Sequence, residues 1–474
     1  MAVDNPHTEV NGRPTVEARD PEGSGEEEAQ DDSANQASAS SSKKKKSNKK
    51  KKKSSSSSAA NDHPTSSIDS SLTMPSGIEQ HYFDPVKGKG LLATRDFAEG
   101  ETVFTDSAFV SAPPMAQAKK VAGGELCNAC FQPVDGAGVG RNTGCKGKDC
   151  QAVWCNRECE SRGRTAHHNV LCKGNNPAIV PFVNFMSTHP FLSLHSVARL
   201  YARILLCHSP TPPESLIKPS RPATVEETLG HTSAFASISE LVRRKRNPGW
   251  EVEKQAFELT FKEALKLLKE GMDPYDEARI ARGEQGGIRG KGKWTVNPDF
   301  PRDVAQQLFG WEGFMRSLGR ANLNMESQGS LYCIHSHLNH SCAPNLSTQH
   351  PPSQRGIRQA TKLKLMANKP IKAGEELLIT YQDPSQSVTR RNLLLWREHI
   401  FGPCECPRCE KEMGELDEEE RERLKRFEMT SEDKEEVKLR RKQAETLQKE
   451  GEKRAAGEKD LRGLEEELRE TLGF

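Results

Sequence analysis

Residues 339 to 345 read Asn-His-Ser-Cys-Ala-Pro-Asn, and Tyr381 follows 36 residues after Asn345, at the end of Gly-Glu-Glu-Leu-Leu-Ile-Thr-Tyr. Upstream, Lys87-Gly88-Lys89-Gly90 leads into Leu-Leu-Ala-Thr. A lone Gly-x-Gly says little, but three such signals in this order are far more specific than any one of them. Both flanks read as β structure. The stretch GKGLLATRDFAEGETVFTD (88–106) alternates short strands with Gly-rich turns, and order is expected to begin near Ile78. Residues 331 to 381 return to short strands, ending in the apolar run Leu-Leu-Ile-Thr before Tyr381.

Between these flanks the pattern turns helical. A helical stretch runs to about Cys207, and the Pro-rich SPTPPESLIKPSRP (209–222) then permits neither helix nor strand. Helical periodicity returns over Glu251 to Glu270, through Phe257, Leu259, Phe261, Leu265 and Leu268, and again over Val304 to Leu318. The Gly-rich GEQGGIRGKGK (283–293) between them reads as a loop insertion.

Apolar residues make up 34% of the 474, charged residues 29% and aromatic residues 6%. Much of the chain therefore cannot bury enough apolar surface to offset its own ordering, so one globular unit with solvated tails is expected. Residues 1–75 read as a disordered Ser- and Lys-rich tail, and 410–474 as a charged helical tail without a sustained heptad. Net charge is only +2, so attraction to nucleic acid must come from local basic runs. The block Lys43 to Lys53 holds nine lysines in eleven positions and reads as an import-receptor or DNA contact.

MAVDNPHTEV has no apolar core for a signal peptide. The most apolar helix-length stretch, Phe185 to Leu206, is interrupted by His189, Pro190, His195, Arg199 and Arg203, too polar to span a bilayer. A soluble intracellular protein without membrane partners is expected, and the lysine block argues for the nucleus, with the cytoplasm as a second location.

In a reducing compartment thirteen cysteines point to metal rather than disulfides. Cys127, Cys130, Cys145, Cys150, Cys155, Cys159, His168 and Cys172 form one cluster, whose spacings let two ligands from one turn grip one ion. Eight ligands suit two tetrahedral zinc ions, and the segment has too little apolar mass to fold without them. His167 is a second histidine candidate, though the spacing favours His168. A later trio, Cys404, Cys406 and Cys409, is one ligand short of a tetrahedral site. Cys207 and Cys333 are left over and read as buried small hydrophobes.

These motifs resemble the SET lysine methyltransferases, with the cysteine-rich insertion placed as in the SET-and-MYND branch. The stretch SLYCIHSHLNHSCAPN (330–345) is especially close, and the chain resembles the fungal members of the branch, whose budding-yeast representative methylates histone H-four on chromatin. The resemblance covers roughly Ile78 to Cys409, with residues 175 to 300 matching only in general character. It implies a mainly β fold with helical insertions, in which the Asn-His segment threads a loop as a pseudoknot, a known exception to the rule against threading. The implied organisation is a SET catalytic domain over 76–409, with a MYND-like zinc module at 127–172, a helical insert at 175–320 and a post-SET zinc segment at 402–409.

The same resemblance implies roles. Cys127, Cys130, Cys155 and Cys159 would share one zinc, and Cys145, Cys150, His168 and Cys172 a second. Here the pair Cys145/Cys150 is split by four residues rather than the usual two, and a long Gly-rich stretch precedes Cys145. Cys342 would complete the third zinc with Cys404, Cys406 and Cys409, forming a lid over the lysine channel. Lys89, Gly90 and Leu91 would hold the methionine portion of S-adenosylmethionine, with glycine permitting close approach. Asn339 and His340 would hold its amino-acid and adenine ends, with Asn322 a further candidate. Tyr381 would orient the amine and the sulfonium methyl, and Tyr332 would be either a second channel wall or a packed aromatic.

Transfer to an amine needs its neutral form, whereas free lysine has a pKa of about 10.4, so the site must favour loss of the proton. The implied activity is protein-lysine N-methylation, with an exposed lysine of a histone tail, histone H-four first, as substrate. The rivals are a non-histone protein-lysine methyltransferase and a non-catalytic, zinc-dependent chromatin adaptor. The presence of Asn339, His340 and Tyr381 favours an enzyme.

Overall fold

The computed structural model describes residues 73–84, 87–134, 143–189, 191–207, 250–282, 300–326, 329–352, 361–399 and 403–425, with single positions at 431, 435 and 439. The tail through residue 72 with its lysine block, the Pro-rich segment 209–222, the Gly-rich segment 283–293 and most of the chain beyond 425 lie outside the described residues.

Strands β1 (Ile78–Asp84) and β2 (Gly88–Ala93) form an antiparallel hairpin, with Ile78 opposite Ala93 and Asp84 opposite Gly88. Gly88 has φ +79°, a left-handed conformation that glycine adopts without steric cost. After β3 (Thr102–Ser107) and α1 (Met115–Ala122) comes the cysteine-rich module, a minimal ribbon of β4 (Thr143–Gly144) and β5 (Val153–Trp154) followed by α2 (Arg157–Gly163). Asn156 caps α2 by accepting the Cys159 N–H at 2.8 Å. One turn of π-helix, Arg164–His168, then runs into α3 (Asn169–Leu171).

A helical layer follows: α4 (Val180–Thr188), α5 (Leu192–Cys207), α6 (Trp250–Met272), α7 (Glu277–Ala281), α8 (Arg302–Phe309) and α9 (Trp311–Asn324). It has its own core, in which Val197, Tyr201, Leu268, Phe309 and Phe314 are buried together, and Tyr201 donates to Ser317 Oγ at 3.1 Å. The chain then returns to β structure with β6 (Asn339–His340), β7 (Leu346–Gln349), β8 (Lys362–Ala367) and β9 (Leu378–Ile379). Strands β3, β8 and β7 make an antiparallel sheet in that order. In β8, Leu363, Leu365 and Ala367 point into a second core while Lys362 stays out, the two-residue period of a half-buried strand.

Strand β6 runs parallel to β9, pairing Asn339 with Leu378 and His340 with Ile379. A parallel pair needs a crossover, and residues 341 to 377, which carry β7 and β8, provide it. This pairing brings the Asn-His dipeptide beside the segment leading to Tyr381. Helices α10 (Val388–His399), α11 (Pro407–Gly414) and α12 (Glu418–Lys425) close the described chain.

Three expectations need correction. Helix takes up more of the described residues than strand does, so the fold is not mainly β: the β structure is confined to small sheets, and the insert holds a complete helical core. The helix expected over 304–318 is two helices, because Gly310 turns extended at ψ 149° and caps the second. On α6, Leu265 and Leu268 are buried, but Leu259 is 70% exposed; it stands outside the buried face despite its place in the apolar pattern.

Candidate active site and metal-binding clusters

The Gly88–Ala93 strand, the Asn339–Asn345 motif and the Glu376–Tyr381 segment meet in one hydrogen-bonded unit. The Asn339 amide nitrogen donates to Lys89 O at 3.1 Å and to Glu376 Oε1 at 2.9 Å. Both of its N–H groups are thereby used, which leaves Oδ1 as the polar atom it can offer a ligand. Gly90 lies under this contact: a Cβ there would fall 2.6 Å from Asn339 Nδ2 and 2.7 Å from Phe83 Cε2. Leu377 N–H donates to Leu91 O at 2.8 Å, and Leu91 is fully buried. Asn345, the last residue of the motif, donates to Glu376 O and accepts from the Leu378 N–H, each at 2.8 Å. Lys87 pairs with the other oxygen of Glu376 and sits 4.2 Å over the Phe83 ring.

His340 joins this unit to the next. Its Nδ1 accepts the Tyr381 backbone N–H at 2.9 Å, so in the neutral ring the proton resides on Nε2, which faces Cys342 Sγ at 3.2 Å. Burial, followed by the nearby His399 and Arg391 charges, pushes His340 down to about 3, and the ring is neutral at physiological pH. Tyr381 O–H donates to Leu338 O at 2.6 Å, and its ring lies 5.2 Å from His340 and 4.6 Å from His399. Burial first, and the Glu376 carboxylate second, raise its hydroxyl above the ordinary tyrosine range, so it stays a phenol.

Tyr332 and Asn322 stand apart from these contacts. Tyr332 is 1% exposed, in the apolar cluster against which Tyr381 leans, with its ring edge-on to His335 at 6.0 Å. That is the surrounding of a packed aromatic. Asn322 lies near the end of α9, and the hydrogen bonds that hold the Asn339 unit do not include it.

Among the described residues, the side chains that could hold a metal gather into three groups: Cys127, Cys130, Cys155 and Cys159; Cys145, Cys150, His168 and Cys172; and Cys342, Cys404, Cys406 and Cys409. Within each, all four ligand atoms lie within 4.8 Å of one another. In the first, Cys155 Sγ is 3.5 Å from Cys130, 3.4 Å from Cys159 and 3.7 Å from Cys127. Zinc–sulfur bonds of about 2.3 Å in a tetrahedron put neighbouring sulfurs about 3.8 Å apart, so the spacing fits that ion. His167 is turned away, its Nε2 2.9 Å from Asn128 Oδ1, and His168 is the histidine that stands with the three cysteines. Cys207 and Cys333, expected to be buried, are half-buried and belong to none of the groups.

Several residues of the site escape sequence reading. Glu376 stands inside the quoted motif, but nothing in its type announces that it holds Asn339. Asn392, fully buried on α10, accepts the Cys404 N–H at 2.7 Å. Beside it the buried Arg391 reaches Cys409 Sγ at 3.7 Å. Neither lies in a recognisable motif; only the packing of α10 against the cysteines brings them there.

The SET domain family matches residues 88–382, well over half of the chain. A histone-lysine N-methyltransferase SET5 of Mycosarcoma maydis is 38% identical over 364 residues, covering 74% of this chain and 71% of that protein. The proteins of the same name from Candida glabrata and Saccharomyces cerevisiae are 27% and 24% identical, over 72% and 73% of this chain. The chain spans only 59% and 62% of their lengths. A crystal structure of the SET domain of LSMT bound to lysine and AdoHcy aligns with 70% of this chain and 54% of that one, at 12% identity and a TM-score of 0.29, too loose a likeness to bear on the site. With the family match spanning its β flanks and its helical insert alike, the chain belongs to the SET domain family.

Proposed function

We propose that this chain is an S-adenosylmethionine-dependent protein-lysine N-methyltransferase that acts on histone tails, the histone H-four tail first, in the nucleus. One observation carries the reading: Gly90, Asn339, His340 and Tyr381, drawn from three distant stretches, are locked into a single hydrogen-bonded unit. The SET5 relatives, named histone-lysine N-methyltransferases, support the substrate class.

The residues present suit the cofactor. Gly90 lets Asn339 and Phe83 approach the strand more closely than a Cβ would allow, and with both Asn339 N–H groups engaged among the described residues its carbonyl oxygen suits an ammonium donor. When bound, S-adenosylmethionine supplies the methyl group from its sulfonium. Lys89, Gly90 and Leu91 hold its methionine portion, Asn339 and His340 its polar ends, with Asn322 as a further contact. Tyr381 keeps its proton and directs it to Leu338 O, so its oxygen can accept from the substrate amine and orient it. Burial disfavours a charged amine, and displacement requires the neutral form.

The three ligand groups hold three zinc ions, two in a MYND-like module and one in a post-SET lid. Their thiolate and imidazole donors are those that zinc prefers. Structural zinc sites are closed and inert, so the first two staple the module rather than take part in transfer.

The block Lys43 to Lys53 is an awkward partner for a basic histone tail and serves import or DNA contact instead. A chain lacking residues 1–75 is therefore expected to methylate isolated histone at close to the full-length rate while losing nuclear enrichment. Loss of methylation in the test tube would place the tail in the substrate site and overturn this division of labour.

A further inference from the structure

Zinc bound by four thiolates carries a net charge of about −2, which must be balanced where the site is closed to water. Each all-cysteine group has an arginine nearby, in different surroundings. In the module, Arg162 Nη2 is 3.7 Å from Cys159 Sγ, and Arg162 is exposed. In the lid, Arg391 Nη2 is likewise 3.7 Å from Cys409 Sγ, but Arg391 is fully buried. Its guanidinium also donates to Gln386 O and pairs with Glu412 on α11. The other oxygen of Glu412 accepts from Arg408 Nε at 2.6 Å, and Arg408 in turn reaches Pro384 O at 2.9 Å and Cys342 O at 3.4 Å.

The chain of contacts thus runs from a zinc ligand on α11, through Arg391 on α10 and Glu412, back to α11 and to the Cys342 carbonyl. Water can take over the role of Arg162 at the module, but it has no access to Arg391. Removing Arg391 leaves both the thiolate cluster and the Glu412 carboxylate without their buried partner.

We propose that Arg391 is a positioning residue of the lid: clamped between the Cys409 thiolate and the Glu412 carboxylate, it holds α11 against α10 and sets how firmly the lid retains its zinc. The proposal rests on the zinc-lid reading above. It concerns a residue outside the cysteine motifs, and the lid reaches the reacting centre through the 3.2 Å contact of Cys342 with His340.

The test uses intact full-length protein, with zinc release to EDTA timed and cysteine labelling by N-ethylmaleimide located by peptide mass spectrometry. Wild type is expected to hold three zinc ions. Arg391→Met is expected to release one of the three about 10–100-fold faster, the cost typical of losing an outer partner of a metal ligand. Labelling should then be confined to Cys342, Cys404, Cys406 and Cys409. Arg391→Lys, which keeps the charge but not the planar fork, should fall between, and Arg162→Met should release zinc at the wild-type rate.

If Arg391→Met labels in all three groups at once, the fold as a whole has failed, and Glu412→Gln decides the matter. It removes the charge that anchors the guanidinium and should speed lid labelling alone. A wild-type rate of zinc release in Arg391→Met, or an unchanged lid in Glu412→Gln, overturns the proposal. Wild type holding two zinc ions, with the four lid cysteines labelling at once, would instead sink the zinc-lid reading and this inference with it.

Discussion

Tyr381→Phe is expected to slow methyl transfer by about a hundredfold or more, or to change the number of methyl groups added, while affinity for S-adenosylmethionine changes little. The substitution keeps the ring and its packing against His340 and His399 and removes only the hydroxyl. That hydroxyl donates to Leu338 O at 2.6 Å, and the ring packs against both the apolar cluster of the small sheets and the cluster around Cys342 and Cys404. What is lost is therefore orientation of the amine, a kcat effect, rather than ground-state binding. Single-turnover rates and product masses for the two proteins check this, and an unchanged rate with an unchanged product would refute the role given to Tyr381.

Gly90→Ala is expected to weaken cofactor binding itself. The added methyl group would sit 2.6 Å from Asn339 Nδ2, 2.7 Å from Phe83 Cε2 and 3.0 Å from Glu376 Oε1. Separations under 3 Å force something to move, and Asn339 is held on two sides, by Lys89 O and by Glu376. Overpacking of this kind destabilises by about 1–3 kcal/mol, and the Asn339 carbonyl proposed to receive the cofactor shifts with its amide. We expect affinity for S-adenosylmethionine, measured by calorimetry, to fall by about tenfold or more. Gly414→Ala is the control, because a Cβ there meets nothing within 4 Å. Equal affinity in Gly90→Ala and wild type would show that this glycine is not part of the cradle.

Much of the site can be read from the chain because its chemistry lies in short runs. Asn339, His340 and Cys342 are nearly consecutive, Gly90 belongs to a Gly-x-Gly that opens a strand, and the cysteine spacings are those of turns that can grip one ion. The helical insert is harder. Its core is built from single residues of α5, α6, α8 and α9, and a periodic pattern says that a helix has an apolar face without saying which residues the neighbours cover. Leu259 fits the pattern and stands exposed, and Gly310, one residue in an apolar run, splits a helix in two.

Residues that act through others are harder still. Glu376, Asn392 and Arg391 touch the site only because strands and helices distant in sequence meet there, and a lone Glu, Asn or Arg in a helix or strand carries no local signal. Tyr332 likewise carries no local signal that separates a channel wall from a packed aromatic; the structure shows it buried.

The most direct measurement of the central claim is mass spectrometry of core histones after incubation with isotopically labelled S-adenosylmethionine and the full-length protein. A methyl label on a lysine of the histone H-four tail, present with wild type and strongly reduced with Tyr381→Phe, is the result expected. No label on any histone, from a protein that holds three zinc ions and binds the cofactor, would contradict the proposal that this chain methylates histones.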